Sequence, residues 1–361
     1  MAKLQVGLLF GGRSVEHEVS ISSASSILRA LDPNRYDVYP LAVDHGGRWR
    51  SIATGFETLD EIVGDEVHLP AVPGARSLLF GDGSPATPAL DVIFPIVHGS
   101  GGEDGNLQGL LELSGIAYVG SGVLGSSLQM DKVVSKRLLA AAGLPVLPGR
   151  CVDARELDGS HASLAKSVEE EIGLPLFVKP AHLGSSVGIT RVTRSADLLP
   201  ALLEAARYDD RILAERGIDA RDLEVALLDR DPVEASVPGE IRTERPFYDY
   251  EAKYVDENTE LLVPAPIPRE LATALADAAL VAFRALEGEG LGRVDFLLDR
   301  KSDEFFVNEV NSLPGFTEAS MYPRLWEASG LPYPALLDRL IEVAIERQHR
   351  KARLETQYRR L

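Results

Sequence analysis

The run Asp91-Val92-Ile93-Phe94-Pro95-Ile96-Val97 carries no charge and no polar side chain after its first residue. A segment so short and so uniformly apolar suits a strand covered on both faces, the condition of a strand in a parallel sheet flanked by helices. The start of the chain agrees. An apolar strand at residues 6–10, a Gly11-Gly12 break, a helix of small residues at 22–30 and a second strand at 38–43 follow in βαβ order. Open sheets of this kind bind ligands beyond the carboxyl ends of their strands. Two polar loops stand at such ends, Gly11-Gly12-Arg13-Ser14-Val15-Glu16-His17-Glu18-Val19-Ser20 and His98-Gly99-Ser100-Gly101-Gly102-Glu103-Asp104-Gly105. Residues 46–88 are rich in Gly and Pro without a period, and little is read from them.

A helix at 131–142, stopped by Gly143 with Pro145 beyond it, leads into a second part of the chain. There the pattern predicts a helix at 163–171, strands at 176–179 and 189–192 around a loop at 182–188, and strands at 212–215 and 223–228. A helix at 269–286 and strands at 292–298 and 304–311 complete the series. Residues 345–361 are polar and basic and read as a solvated helix end.

Charge and composition exclude several classes. Lys+Arg 37 against Asp+Glu 55 gives a net charge of −18 over 361 residues. A nucleic-acid binder or a membrane-surface protein requires the opposite sign, so neither partner is expected. The single cysteine, Cys151, rules out an intramolecular disulfide and a cysteine-rich zinc site. No window approaches the ~20 apolar residues of a membrane span, and the N-terminal apolar run is too short for a signal peptide, so the expected location is the cytoplasm. No G-x-x-x-x-G-K-[ST] occurs. Gly120-Ser121-Gly122-Val123-Leu124-Gly125 fits G-x-G-x-x-G, but no acid lies between Asp131 and Asp153 to hold a ribose, and the segment reads as a connecting turn.

The chemistry concentrates in three places. In Gly292-Arg293-Val294-Asp295-Phe296 residues two apart share a face, so Arg293 and Asp295 point the same way, and so do Glu309 and Asn311 on the next strand. If the two strands form a hairpin, two carboxylates and an amide converge as hard oxygen ligands suited to Mg²⁺; the alternative is a hairpin with a polar solvent face. In the second place, Lys179 ends an apolar strand and is followed by Pro180-Ala181-His182-Leu183-Gly184-Ser185-Ser186-Val187-Gly188. Small residues there let backbone N–H groups and hydroxyls approach phosphate, or else form an ordinary surface hairpin. The third is Phe247-Tyr248-Asp249-Tyr250-Glu251-Ala252-Lys253-Tyr254, a loop of aromatics and a lysine that either closes over a ligand or anchors itself in the core. Lys132 alone is ambiguous. In so acidic a chain, a polyphosphate needs locally gathered positive charge, which Lys132, Lys179, Lys253, Arg293 and Mg²⁺ supply.

These segments, in this order and with Met130-Asp131-Lys132 and Asn308-Glu309-Val310-Asn311-Ser312-Leu313-Pro314-Gly315, resemble the D-alanine–D-alanine ligases of the ATP-grasp superfamily over nearly the whole chain. The resemblance implies an α/β fold: an N-terminal parallel-sheet domain that binds substrate (1–122), then a two-part ATP-grasp fold with central (123–214) and C-terminal (215–346) subdomains, and a basic helical tail (347–361). It implies ligation of two D-alanines through an acyl phosphate for peptidoglycan precursor synthesis, with ATP and two Mg²⁺ (or Mn²⁺) as cofactors and a homodimer as the assembly. By the same resemblance Glu16 pairs with the first D-alanine's ammonium near His98. Lys132, Lys179, Ser186, Lys253 and Asn308 belong to the ATP site. Glu215 and the backbone around Arg216 and Ile218 contact adenine, and Asp222 the ribose. Asp295, Glu309 and Asn311 bind metal. Arg293 and the N–H of Gly315 stabilise developing negative charge, and Ser320 and Met321 meet the second carboxylate. Tyr254, Ser185 and Glu16 form a hydrogen-bonded set that positions a lid.

Two positions depart from the family pattern. Asp222 stands where many relatives carry Glu, one methylene longer, and Met321 stands where Leu is frequent. The competing readings are a ligase for D-alanine and D-lactate or D-serine, against which Tyr254 speaks, and a non-catalytic ATP-grasp protein.

Overall fold

The computed structural model describes residues 2–52, 64–158, 161–185, 187–243 and 259–355. In chain order the first sheet contains β1 (Leu4–Gly11), β2 (Tyr36–Val43), β3 (Trp49–Ser51), β4 (Asp65–His68), β5 (Leu79–Phe80), β6 (Val92–Pro95) and β7 (Ala117–Tyr118), arranged β5-β4-β3-β2-β1-β6-β7. β1 lies parallel to β2 and to β6, and β6 parallel to β7. The apolar runs therefore form a parallel core, as their lack of alternation predicts. β3, β4 and β5 extend it as an antiparallel meander, in the stretch where the sequence shows no period. Helix α1 (His17–Ala30) crosses between β1 and β2, and α2 (Asn106–Ser114) between β6 and β7. α1 starts five residues earlier than the small-residue pattern predicts, because its start is polar, with Glu16 and Glu18 lining a cavity. Gly11 (φ +87°) turns the chain out of β1; a Cβ there would stand 2.3 Å from the Val43 carbonyl oxygen, so only glycine fits.

α3 (Val123–Met130) and α4 (Lys132–Ala141) follow. The second sheet is antiparallel, with β8 (Gly149–Asp153), β9 (Leu176–Pro180), β10 (Thr190–Val192) and β11 (Arg211–Arg216) arranged β10-β9-β11-β8. Helices α5 (His161–Ile172) and α6 (Ser195–Ala205) close its core with Val168, Leu198 and Leu202.

The third sheet is also antiparallel. Its strands are β12 (Ala220–Leu228), β13 (Glu234–Ala235), β14 (Gly239–Arg242), β15 (Glu260–Leu262), β16 (Leu291–Asp299) and β17 (Phe305–Asn311), in the order β15-β14-β12-β16-β17 with β13 on β12. Along β16, Val294, Phe296 and Leu298 are buried while Arg293, Asp295 and Leu297 are half-buried. α7 (Arg269–Ala285) covers the apolar face with Leu275, Ala279, Ala282 and Phe283. Burial of an aromatic such as Phe283 contributes about 1.5–3 kcal/mol, and the polar residues are left on the opposite face. Leu139 of α4 packs into this core rather than into that of the second sheet.

α8 (Met321–Ala328) and α9 (Tyr333–Ala352) end the described chain. Leu336, Leu340 and Ile341 pack with Val6, Leu8 and Phe94, so the last helix docks on the first sheet. The expected solvated helix end at 345–361 needs correction in its first part. Arg347 is only 5% exposed; it donates to the Tyr118 carbonyl at 2.9 Å and to that of Gly120, and its guanidinium lies 4.4 Å from the Tyr118 ring centre. Among the described residues no helix is long and apolar enough to cross a membrane.

Candidate active site

Two cavities, of about 680 and 420 Å³, are lined from all three sheets. The first collects the polar loops at the carboxyl ends of β1 and β6. Glu16 sits at the cap of α1, buried, and Ser14 Oγ beneath it donates to the His98 carbonyl at 2.6 Å. His98 is buried, and its Nδ1 lies 3.0 Å from the Leu313 carbonyl oxygen. A carbonyl only accepts, so Nδ1 carries the proton and Nε2 is left to face Ser23 Oγ at 3.5 Å. Burial pushes the His98 pKa below its ordinary value against the pull of Glu16, which keeps this neutral tautomer. The Phe316 N–H donates to the same Ser23 hydroxyl at 3.3 Å. His98 and Ser23 thus tie the loop carrying Gly315 to the first sheet. Ser320 caps α8; its Oγ accepts from the Thr317 N–H at 3.1 Å, and Met321 follows it, buried.

Glu103 also lines this cavity and accepts a 2.6 Å hydrogen bond from the Gly99 N–H. Burial, and then the nearby Glu16 charge, push its carboxyl up to about 8, against hydrogen bonds from the Gly99 and Leu313 backbones.

The second cavity lies between the second and third sheets. Lys179, Glu215, Arg216, Ile218, Asp222, Asp295, Asn308 and Glu309 all line it. Lys179 Nζ lies 2.8 Å from Glu215 Oε2, and Lys136 holds the other oxygen of that carboxylate. Burial works against the charge on each of these groups. The two lysines overcome it at Glu215 and hold its pKa below the ordinary range; Glu215 overcomes it at Lys179, whose pKa is raised; at Lys136 burial prevails and draws the pKa down.

The two cavities share Lys132, Gly184, Ser185, Glu224, Ile241 and Glu309. Lys132 opens α4, whose cap Asp131 accepts from the Val133 and Val134 N–H groups at 3.0 Å each. The Lys132 ammonium donates to the Leu183 carbonyl at 2.7 Å and lies 3.3 Å from Glu309 Oε2. Ser185 has φ +51°, in the left-handed region that a non-glycine residue adopts only at a cost of roughly 1–2 kcal/mol. Its buried hydroxyl has no hydrogen-bond partner among the described residues, the mark of a donor kept for a ligand or for a segment that closes the site.

The expected hairpin is present. β16 and β17 pair Arg293 with Asn311 and Asp295 with Glu309, next to a bulge at Asp295/Phe296. Arg293 forks onto Asp295 with two 2.7 Å hydrogen bonds and reaches Glu224 Oε2, on β12, at 2.9 Å. Asn311 Nδ2 donates to Asp295 Oδ2 at 2.9 Å. Asp295, Glu309 and Asn311 are hard oxygen donors on one face, two of them neutralised by the cations Arg293 and Lys132. This set fits a hard divalent ion that uses few protein ligands. Among the described residues, the one group of three His, Cys, Asp or Glu with converging ligand atoms lies elsewhere, at His182, Asp209 and Asp210.

Of the residues expected at the site, Glu16, His98, Gly315, Ser320 and Met321 line the first cavity. The nucleotide set other than Ser186 and Lys253 lines the second, with Lys132 and Ser185 at the junction. Ser186, Lys253 and Tyr254 lie outside the described residues, as does the aromatic loop. Sequence reasoning missed Glu103, Lys136 and Glu224. A charged residue inside an apolar strand, as Glu224 is between Leu223 and Val225, was an available signal. Nothing in the sequence distinguishes Lys136 from a solvated helix lysine.

The family model D-ala D-ala ligase N-terminus matches residues 5–121, and D-ala D-ala ligase C-terminus matches residues 138–342. A D-alanine--D-alanine ligase of Heliobacterium modesticaldum is 43% identical over 361 residues, covering 99% of each protein. The solved D-alanine-D-alanine ligase of Coxiella burnetii superposes with a TM-score of 0.83 at 34% identity, over 98% of this chain and 97% of that one. The VanG D-Ala:D-Ser ligase of Enterococcus faecalis does so with a TM-score of 0.85 at 31% identity, over 95% and 100%. With both halves matched and such identity along its whole length, the chain belongs to the D-alanine–D-alanine ligase family.

Proposed function

We propose that this protein joins two D-alanines at the cost of one ATP, in the cytoplasm, as a step of peptidoglycan precursor synthesis. The observation that carries the reading is the junction of the two cavities at Lys132, Ser185 and Glu309. A carboxylate held in the first can meet a terminal phosphate held in the second. Glu16 takes the ammonium of the first D-alanine, with His98 beside it. Lys132, Lys179 and Lys253 hold phosphates, helped by Ser186 and Asn308. Glu215 and the backbone at Arg216 and Ile218 meet adenine, and Asp222 the ribose, with the shorter reach of an aspartate.

Asp295, Glu309 and Asn311 would hold two Mg²⁺, or Mn²⁺ in its place, which would supply neutralisation of the triphosphate and polarisation of its terminal group. The first carboxylate attacks the γ-phosphate and ADP leaves; the resulting acyl phosphate is attacked by the neutral amine of the second D-alanine, which loses a proton as the C–N bond forms and whose carboxylate rests against Ser320 and Met321. Arg293 and the Gly315 N–H stabilise the oxyanion of the tetrahedral intermediate before phosphate leaves. Ser185, Tyr254 and Glu16 position the lid, which must exclude water because water destroys an acyl phosphate. The chain works as a homodimer.

Incubation with D-alanine, ATP and Mg²⁺, followed by mass spectrometry, tests the reaction. Dipeptide, ADP and phosphate should appear in equal amounts. Adding D-lactate or D-serine tests the second substrate, prompted by the likeness to a D-Ala:D-Ser ligase. A dominant ester or mixed dipeptide overturns the assigned acceptor; nucleotide binding without turnover overturns the enzyme.

A further inference from the structure

Lys136 stands one helical turn after Lys132 on α4, yet the two ammonium groups serve different places. Lys132 faces the junction of the cavities. Lys136 turns inward; its side chain is 9% exposed, and its Nζ pairs with one oxygen of Glu215 and lies 3.5 Å from the Val307 carbonyl oxygen. The Glu215 side chain is 1% exposed and gives its other oxygen to Lys179 at 2.8 Å. Glu215 and Lys179 line the second cavity, and Lys136 lies behind them. One buried carboxylate therefore has a cation in front of it and a cation behind it.

A buried carboxylate stays ionised only while it keeps a partner. If Lys179 moves to a phosphate, Glu215 retains Lys136 alone. We propose that Lys136 is a positioning residue for nucleotide binding, the counter-ion that keeps Glu215 charged and in place when Lys179 leaves it for the incoming nucleotide. This rests on the reading of the second cavity as the nucleotide site. Without Lys136, Lys179 would be the sole counter-ion of Glu215, and phosphate would have to compete for it. Since Lys136 touches neither cavity, its loss should weaken ATP binding while leaving turnover at saturating ATP and the KM for D-alanine near their wild-type values.

Calorimetric titration of the full-length protein with ATP and Mg²⁺, without D-alanine, tests the proposal. Lys136→Met, similar in length and uncharged, should weaken ATP binding on the order of 10–100-fold, less than the roughly 150–5,000-fold of a buried pair broken outright, because Lys179 can still face Glu215. Lys136→Arg should stay within about threefold of wild type, since it keeps the charge. In a Glu215→Gln background, where no carboxylate needs balancing, Lys136→Met should cost less than about threefold. A Lys136→Met protein that binds ATP like wild type, an equally weak Lys136→Arg, or an undiminished effect in the Glu215→Gln background overturns the proposal. Should Lys136→Met fail to fold, the double variant decides: its folding, with both buried charges gone, supports the counter-ion role, and its failure to fold contradicts it. Failure of the wild type to bind ATP would instead refute the reading of the cavity.

Discussion

Replacing Arg293 by alanine separates what this side chain does for the fold from what it does for the reaction. Its guanidinium neutralises Asp295, through two 2.7 Å bonds, and Glu224, at 2.9 Å; the two carboxylate side chains are 15% and 5% exposed. Removing one partner of a buried ion pair costs about 3–5 kcal/mol, because the other charge is left unpaired. Partial solvent access at Asp295 and the freedom of that carboxylate to take a divalent ion place the loss at the lower end, and Mg²⁺ should restore part of it. The catalytic loss is separate. Losing one donor to a developing oxyanion lowers kcat by about 10²–10³-fold, ~2.7–4 kcal/mol. The assays are urea unfolding with and without Mg²⁺ and dipeptide formation at saturating ATP. The double variant Arg293→Met/Glu224→Gln removes one buried charge with its partner, and should recover stability without recovering kcat. A kcat for Arg293→Ala within about threefold of wild type, well short of that loss, would remove Arg293 from the mechanism. A double variant that regained turnover along with stability would show that the defect was one of folding alone.

Further outcomes follow from the same geometry. Glu309→Gln should raise the Mg²⁺ concentration for half-maximal turnover at least tenfold, roughly what loss of even an outer partner of a metal costs, and a metal titration of activity measures it. Glu103 carries a carboxyl raised to about 8 by burial and by Glu16, so between about pH 4.5 and 8 the folded chain keeps a proton that the unfolded chain releases. That group therefore takes stability away as pH rises through this window, by at most about 1.4 kcal/mol per unit, and Glu103→Gln should flatten the wild-type decline in thermal midpoint between pH 5 and 8. Gly11→Ala would place a Cβ 2.3 Å from the Val43 oxygen at φ +87°, and chemical denaturation should show a loss of about 1–3 kcal/mol.

The sequence revealed most where one pattern decides the matter. The unbroken apolar run of β6 forces burial on both faces, and the two-residue alternation of β16 and β17 sets Arg293 with Asp295 and Glu309 with Asn311, two pairs that the hairpin then brings to one side. The antiparallel meander β3 to β5 stayed hidden because strands of two to four residues are too short to establish a period. The first turn of α1 read as loop because Glu16, His17 and Glu18 are polar, though Glu16 and His17 are buried and Glu16 and Glu18 line a cavity. Arg347 read as solvated since nothing local reveals that the Tyr118 and Gly120 carbonyls, over two hundred residues away in the chain, wait for its guanidinium. Lys136 and Glu224 follow the same rule. Lys136 acquires its role from Glu215 on β11, and Glu224 from Arg293 on the neighbouring strand β16, each partner distant in sequence.

The proposed reaction requires each ligand to sit in one place. A crystal structure with a non-hydrolysable ATP analogue, Mg²⁺ and D-alanine should show the terminal phosphate between Lys132, Lys179 and Glu309, metal on Asp295, Glu309 and Asn311, and the amino acid's ammonium against Glu16. A nucleotide bound outside the cavity between the second and third sheets, or metal remote from that trio, would contradict it.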